Sequence, residues 1–361
     1  MQMAADTPPL QYKGRGALAN PANRFAATRS ESVADGWYQD EVPESIATEL
    51  RIDSSRSVIA HNDSPDIPYE QSINPYRGCE HGCVFCYARP THAYLDLSPG
   101  IDFETRLVYK PDAARLLRAE LARPGYRCSH IMLGSNTDPY QPVERRLGIT
   151  RALLEVLAET RHPVAITTRS TLVLRDLDLL APMARLGLCS VYLSITTFDN
   201  GLKRALEPRS AASLARLQAM RELSAAGVPV GVMAAPMIPA VNEHELETIL
   251  QRAAEAGARR AGYVLLRLPH EVKDLFRQWL AEHLPDRAAH VMSLVQAARG
   301  GRDNDSHFGQ RMAGTGAWAK LLGDRFRLAC RRFGLNGERQ VKLSTALFRP
   351  PSTGGQLPLG L

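Results

Sequence analysis

The stretch "RGCEHGCVFCYARPTHAY", Arg77–Tyr94, decides how this chain is read. It carries three of the six cysteines, Cys79, Cys83 and Cys86, spaced C-x3-C-x2-C, while Cys128, Cys189 and Cys330 lie scattered. Three thiolates on one loop suit a soft metal centre, and two centres compete. Structural zinc asks for four protein ligands, so His81 or His92 would have to complete the set inside a tight loop. A [4Fe–4S] cluster normally takes four thiolates. Held by three, it keeps one iron open to a further ligand.

Outward from this loop, short apolar runs alternate with helical patterns. Strands are predicted at 72–76, 130–134, 163–170, 190–197, 228–237 and 261–269. Helices are predicted at 111–122, 145–160, 172–186, 210–226 and 243–256, the last with Asn242 as its N-cap. Gly227 and Gly257 stand where helix C-caps belong. Strands alternating with helices make a parallel α/β protein, and near-continuous apolar strands are those covered on both faces. A closed eight-unit barrel takes about 250 residues. Residues 71–270 hold six units, so the expected fold class is α/β, a partial (β/α)6 TIM-type barrel, with a doubly wound sheet as the alternative.

Residues 1–45 read as a flexible or loosely wrapped N-terminal arm, 46–70 as an irregular lead-in, 271–349 as a helical basic C-terminal region, and 350–361 as a tail. On the helix expected over 316–334, Trp318, Leu321, Leu322, Phe326, Ala329 and Phe333 form one apolar stripe. Of 361 residues, 44% are hydrophobic and 23% charged, the balance of a globular chain. No apolar run reaches the roughly 18 residues of a membrane span, and no secretory leader is visible at the start. Clustered cysteines do not resemble a disulfide framework, so a reducing, cytoplasmic setting is expected. The net charge is +6, and the eleven Lys/Arg against four Asp/Glu between Arg299 and Arg349 account for it. Such a segment permits nucleic acid as a partner, although its aromatics fall on the apolar stripe.

Phe85 directly precedes the last cysteine of the loop. This C-x3-C-x2-C motif after a first strand resembles the signature of the radical S-adenosylmethionine superfamily. "SINPYRGCEHGCVFCYARPTHAYLDLSPGIDFET", "GSNTDPYQPVE", "LRDLDLLAPMA", "APMIPAVN" and "YVLLRLP" further resemble the radical proteins grouped with spore photoproduct lyase, the class often labelled DNA repair photolyase. The resemblance runs from about Ser54 to Pro350. It implies a [4Fe–4S] cluster on Cys79, Cys83 and Cys86, S-adenosylmethionine on the remaining iron, and an external one-electron reductant of flavodoxin or ferredoxin type. The resemblance points to nucleic acid as one substrate class without identifying the substrate. The alternative is a non-catalytic, zinc-stabilised basic module that binds nucleic acid.

In parallel barrels the chemistry gathers at the C-terminal ends of the strands. That rule selects Ser135-Asn136-Thr137-Asp138, then Thr167-Thr168-Arg169-Ser170, then Ser194, Thr196 and Thr197. By resemblance, Ser135 and Asn136 contact the methionyl end of the cofactor. Arg169, where the family commonly has Lys, pairs with its carboxylate. Ser194 reaches the cofactor with Thr196 on the same face, and Phe85 and Tyr87 adjoin it. Asp and Asn before Pro139 are equally ordinary turn formers, and Arg169 suits a plain strand-end ion pair. Spore photoproduct lyase carries a hydrogen-returning cysteine beyond its second strand; here that neighbourhood reads Gly134-Ser135-Asn136.

Overall fold

The computed structural model describes residues 12–25, 45–337 and 342–351. Its strands are Glu49–Ile52 (β1), Ile59–His61 (β2), Gln71–Ile73 (β3), Tyr76–Arg77 (β4), Arg106–Tyr109 (β5), Ile131–Leu133 (β6), Val164–Thr168 (β7), Cys189–Ile195 (β8), Val230–Met237 (β9) and Arg260–Leu265 (β10). The main sheet runs β10-β9-β8-β7-β6-β3-β2. All its pairings are parallel except β2 with β3. Spatial order follows chain order without a reversal, so the sheet has no topological switch point and is wound as a barrel, not doubly wound. The six expected strands are β3 and β6 to β10, and the arc stays open between β10 and β2. A second sheet, β1-β5-β4, was not anticipated: its strands are too short to show a period.

Register separates two faces. Val164, Cys189, Ile166, Val191 and Val230 align across β7, β8 and β9 and pack outward into the core beneath the helices. The alternate residues Met132, Thr167, Tyr192 and Met233 face inward and stay half-exposed, so the arc encloses an unfilled lumen. Gly231 and Gly262 are the small residues that let Tyr192 and Met233 lie across the neighbouring strand.

Several sequence expectations are corrected. The helix expected over 145–160 is two, Glu144–Leu147 and Ile149–Glu159, because Gly148 adopts φ 63° and the buried Glu144 carboxylate turns back to the Thr150 amide. Residues Thr171–Asp176 form a 3-10 turn before helix Leu177–Arg185. Asn242 caps no helix: its side chain accepts from the Ile238 amide and donates to the Thr196 and Pro236 carbonyls. On helix Gly316–Arg332, Leu321 is 57% exposed, and Ala319, Leu322, Ala329 and Cys330 are the buried positions. Trp318, Phe326 and Phe333 pack half-buried against the core.

The arm expected over 1–45 is described only at residues 12–25 and 45; residues 1–11 and 26–44 fall outside the described residues. Residues 12–25 are not loose. Arg15, Gly16 and Ala17 are buried, the Gly16 and Ala17 amides donate to the Glu104 carboxylate at 3.0 and 2.9 Å, and Asn20 pairs with Asp102 in both directions. A Cβ on Gly16 would stand 1.8 Å from the Gly82 carbonyl oxygen, so this segment lies directly on the cysteine loop. Composition cannot reveal a polar segment that is ordered by a distant carboxylate.

Two stretches of the C-terminal region close the molecule. Residues 309–312 bridge the open arc: the Leu265 amide donates to Met312 while Arg311 forks onto Asp66, in the β2–β3 turn, at 2.8 and 2.6 Å. At the opposite end, Phe348 packs on Tyr126 and His162 and the Arg349 amide donates to Thr160. Among the described residues no helix is long and apolar enough to cross a membrane.

Candidate metal and cofactor site

The cysteine loop leaves β4 and is fixed by its own backbone and by neighbours. The Cys79 amide donates to Phe103, that of Val84 to Leu206, and that of Cys86 to Cys83. Gly78, at φ +79°, is required here: a Cβ would meet Leu107, the Phe103 carbonyl and His92 within 2.9 Å. Gln141 braces the loop from outside, accepting from the Glu80 amide and donating to the Gly78 carbonyl. Arg89, fully buried, donates to the carbonyls of Cys83, Pro99 and Gly100 and ion-pairs with the equally buried Glu104.

Cys79 and Cys83 are buried and Cys86 is half-buried, all three as free thiols. Burial pushes each thiol up; Asp138, then Cys83 and Cys86, raise Cys79 further, and Glu207 and Cys86 raise Cys83. Opposing this, Arg169 draws Cys83 down, Arg89 and Arg169 draw Cys86 down, and backbone amides donate to the Cys79 sulfur from His81 and to the Cys86 sulfur from Ala88 and Arg89. Amides directed at sulfur and cationic charge nearby are what a thiolate-bound iron–sulfur centre uses, because they stabilise the charge the metal leaves on its ligands. The three residues therefore fit the group. His92 does not complete a zinc set: its Nε2 sits 2.9 Å from the Arg106 carbonyl and its ring packs edge-on against Phe103. His81 turns Nδ1 to within 3.3 Å of Asp138.

The other expected residues converge at the same end of the barrel. Tyr87, with its ring 44% exposed, donates its hydroxyl to the Ser135 carbonyl and so ties the cysteine loop to the loop after β6. Ser135 and Asn136 are held by Asn74, which donates to the Ser135 hydroxyl and accepts from the Asn136 amide at 2.9 Å. Gly134 makes that turn possible, since a Cβ there would lie 2.3 Å from the Thr167 carbonyl oxygen. Phe85 lies under the Arg169 guanidinium, 5.2 Å from its charge centre.

Arg169 is an ion-pair member first. It contacts Glu207 at 2.6 Å, the Thr196 hydroxyl at 2.9 Å and the Ala235 carbonyl at 2.8 Å. Thr196 thus belongs to this network, while Ser194 lies on the lumen face in register with Met233. Burial would lower the charge on Arg169, yet Glu207 and the nearby thiols Cys83 and Cys86 hold its affinity for the proton above the ordinary value.

Three residues carry the site beyond those given roles from the sequence; of these, Asp138 is selected there only as part of a strand-end polar run. Glu207 is fully buried and also pairs with Arg216; burial would raise its carboxyl, but Arg216 and Arg169 hold it below the usual range. Asp138 links three loops, accepting from the Thr168 hydroxyl and the Arg169 amide and lying 3.3 Å from His81 Nδ1. Asn74 is the third. None has a local signal, apart from Asp138 beside Pro139, where the turn reading competes. Cys128 precedes β6 and Cys189 begins β8, so both lie at the end opposite the cysteine loop, as expected.

Residues 73–253 match the family model described as the Radical SAM superfamily. An uncharacterized protein of Mycobacterium tuberculosis is 38% identical over 232 residues, covering 64% of this chain and 68% of that one. One of Methanocaldococcus jannaschii is 29% identical over 167 residues, 46% and 60% of the two chains. Among solved structures, a mutant spore photoproduct lyase with bound AdoMet and dinucleoside spore photoproduct superimposes with a TM-score of 0.59 at 17% identity. It covers 79% of this chain and 80% of that one, a shared fold.

Proposed function

This chain belongs to the radical S-adenosylmethionine superfamily of enzymes, and on that premise we propose that Cys79, Cys83 and Cys86 hold a [4Fe–4S] cluster whose open iron takes S-adenosylmethionine. When bound and reduced, the group supplies the electron that splits the sulfonium C–S bond and leaves a 5′-deoxyadenosyl radical to take a hydrogen atom from the substrate. The observation that carries this reading is the cysteine loop itself, three thiols brought together with backbone amides directed at Cys79 and Cys86 and the charges of Arg89 and Arg169 nearby.

The chain's own residues do the rest. Arg89 and Glu104 fix the loop's backbone. Arg169, steadied by Glu207 and Thr196 beside Cys83 and Cys86, meets the cofactor carboxylate. Ser135, Asn136 and Ser194 line the same end, with Phe85 and Tyr87 flanking them. The half-exposed lumen below is where the substrate and the radical are kept from water. The electron comes from a flavodoxin- or ferredoxin-type donor. With no thiol beyond β6, hydrogen return to a product radical uses some other group or the cofactor itself.

Nucleic acid as substrate is favoured by the dinucleoside product bound in the solved lyase, and not by the C-terminal helix, whose aromatics are packed inward. The experiment is anaerobic purification and reconstitution, with iron, sulfide and zinc counted beside an assay for 5′-deoxyadenosine after reduction. About four irons per chain, lost in Cys86→Ala, together with cofactor cleavage, is the expected result. One tightly held zinc without iron or cleavage would overturn it.

A further inference from the structure

Among the described residues the buried guanidinium groups are engaged by carbonyls and carboxylates. Arg89 reaches three carbonyls and Glu104; Arg216 reaches carbonyls and Glu207; Arg299 reaches the carbonyls of Leu266, Gln310 and Arg311. Arg267 differs. It follows β10 by two residues, at the same end of the barrel as the cysteine loop. Its Nε is buried without a hydrogen-bond partner, its Nη1 approaches only the Met312 sulfur at 3.8 Å, and no carboxylate comes within ion-pairing distance of it among the described residues. Arg267 itself is half-buried, and a buried N–H left without an acceptor is unfavourable unless something else meets it.

Its surroundings say what that is. The guanidinium lies 5.0 Å over the ring of Tyr87, whose hydroxyl is pinned to the Ser135 carbonyl, so it stands over the residue that follows Cys86. Arg299 and Arg311 stand close enough to repel it. The nearby carboxylates are engaged elsewhere: Asp66 binds Arg311 through two bonds and Asp305 turns to His307. The surroundings of Arg267 beside Tyr87 are therefore positive, and its guanidinium offers a planar set of donors. That geometry fits the two oxygens of a phosphate, and a locally positive field favours such a strongly charged group over a single carboxylate.

We infer that Arg267 anchors a phosphate subsite for the substrate at the mouth of the barrel, against Tyr87. The inference rests on the radical S-adenosylmethionine reading, because it takes that end of the barrel as the reacting end. The free phosphate group of a nucleotide and the backbone of a polynucleotide share this chemistry.

The test uses the full, cluster-loaded chain under anaerobic conditions. Anisotropy of a labelled ten-nucleotide single strand is measured with adenosine 5′-monophosphate, inorganic phosphate and citrate as competitors, in the wild type, Arg267→Gln, Arg267→Lys and the exposed-charge control Arg331→Gln. The expected result is binding weakened about tenfold or more in Arg267→Gln, as for a lost charged hydrogen bond, with part regained in Arg267→Lys and little change in Arg331→Gln. Direct calorimetry with adenosine 5′-monophosphate covers the case in which the strand does not bind. Competition by the mononucleotide identifies a nucleotide source; a strand that the mononucleotide cannot displace identifies a polynucleotide. Equal weakening in Arg267→Gln and Arg331→Gln overturns the inference, as does binding of neither probe or stronger displacement by citrate than by phosphate. It also falls if Arg267→Gln weakens S-adenosylmethionine binding as much as probe binding, since the subsite then belongs to the cofactor. Absence of iron or of cofactor cleavage in the wild type marks failure of the underlying reading instead.

Discussion

The cysteine loop and the mouth beside β10 handle buried charge in opposite ways. Under the loop, Arg89 and Glu104 are both fully enclosed and are matched to each other, to loop carbonyls and to the Gly16 and Ala17 amides that share the carboxylate. At the mouth, Arg267 keeps a buried Nε with no partner. A saturated network rigidifies the backbone that must present three thiols at fixed positions. An unsaturated one leaves binding capacity for a molecule that comes and goes. The difference teaches that within one barrel end, scaffold and ligand contacts can be told apart by counting satisfied donors.

The contrast breaks first under Glu104→Ala. This leaves Arg89 charged, buried and unpaired, which costs about 3–5 kcal/mol, and it frees residues 12–25. Denaturant unfolding and the iron content after reconstitution should both fall; an unchanged midpoint would mean that the loop is held by something other than this pair. Acid comes next. Burial holds His92 neutral, its pKa lowered from 6.5 to about 4, against the opposing pull of the Arg106 carbonyl and Asp102. The unfolded chain then binds more protons than the folded one between those values, so stability is full above pH 6.5 and is lost as pH falls toward about 4. His162, at the far end beside Phe348, behaves alike, also lowered to about 4. Replacing either by Phe should flatten the stability–pH slope over that window, measured by urea unfolding at stepped pH.

A smaller effect sharpens the comparison. Gly16→Ala places a methyl group against the Gly82 carbonyl and should cost about 1–3 kcal/mol, read as a lowered unfolding midpoint with the iron sites perturbed. Smallest of all, Asp66→Asn weakens a partly exposed pair to Arg311, worth about 1 kcal/mol or less. Its expected signature is faster hydrogen exchange at residues 309–312 with the global midpoint nearly unmoved.

Much of this was legible. The cysteine spacing, the alternation of apolar runs with helical periods and the strand-end polar residues are local patterns, and they placed the loop, six barrel strands and the residues around Ser135 and Arg169. The misses have one cause. Glu207 and Asn74 matter through partners between 9 and 63 positions away in the chain, such as Glu207 with Arg216 or Asn74 with Thr137. Composition likewise made residues 12–25 look loose, though an acidic side chain near residue 100 orders them.

The sequence by itself determined the chemistry class, because three thiols at that spacing on one loop restrict the metal centres they can serve, and it determined the barrel, because side-chain period reports which faces are buried. Only the tertiary structure decided which charges are satisfied. Pairing depends on distances set by packing, and a lone Arg267 reads in the sequence no differently from the saturated Arg89.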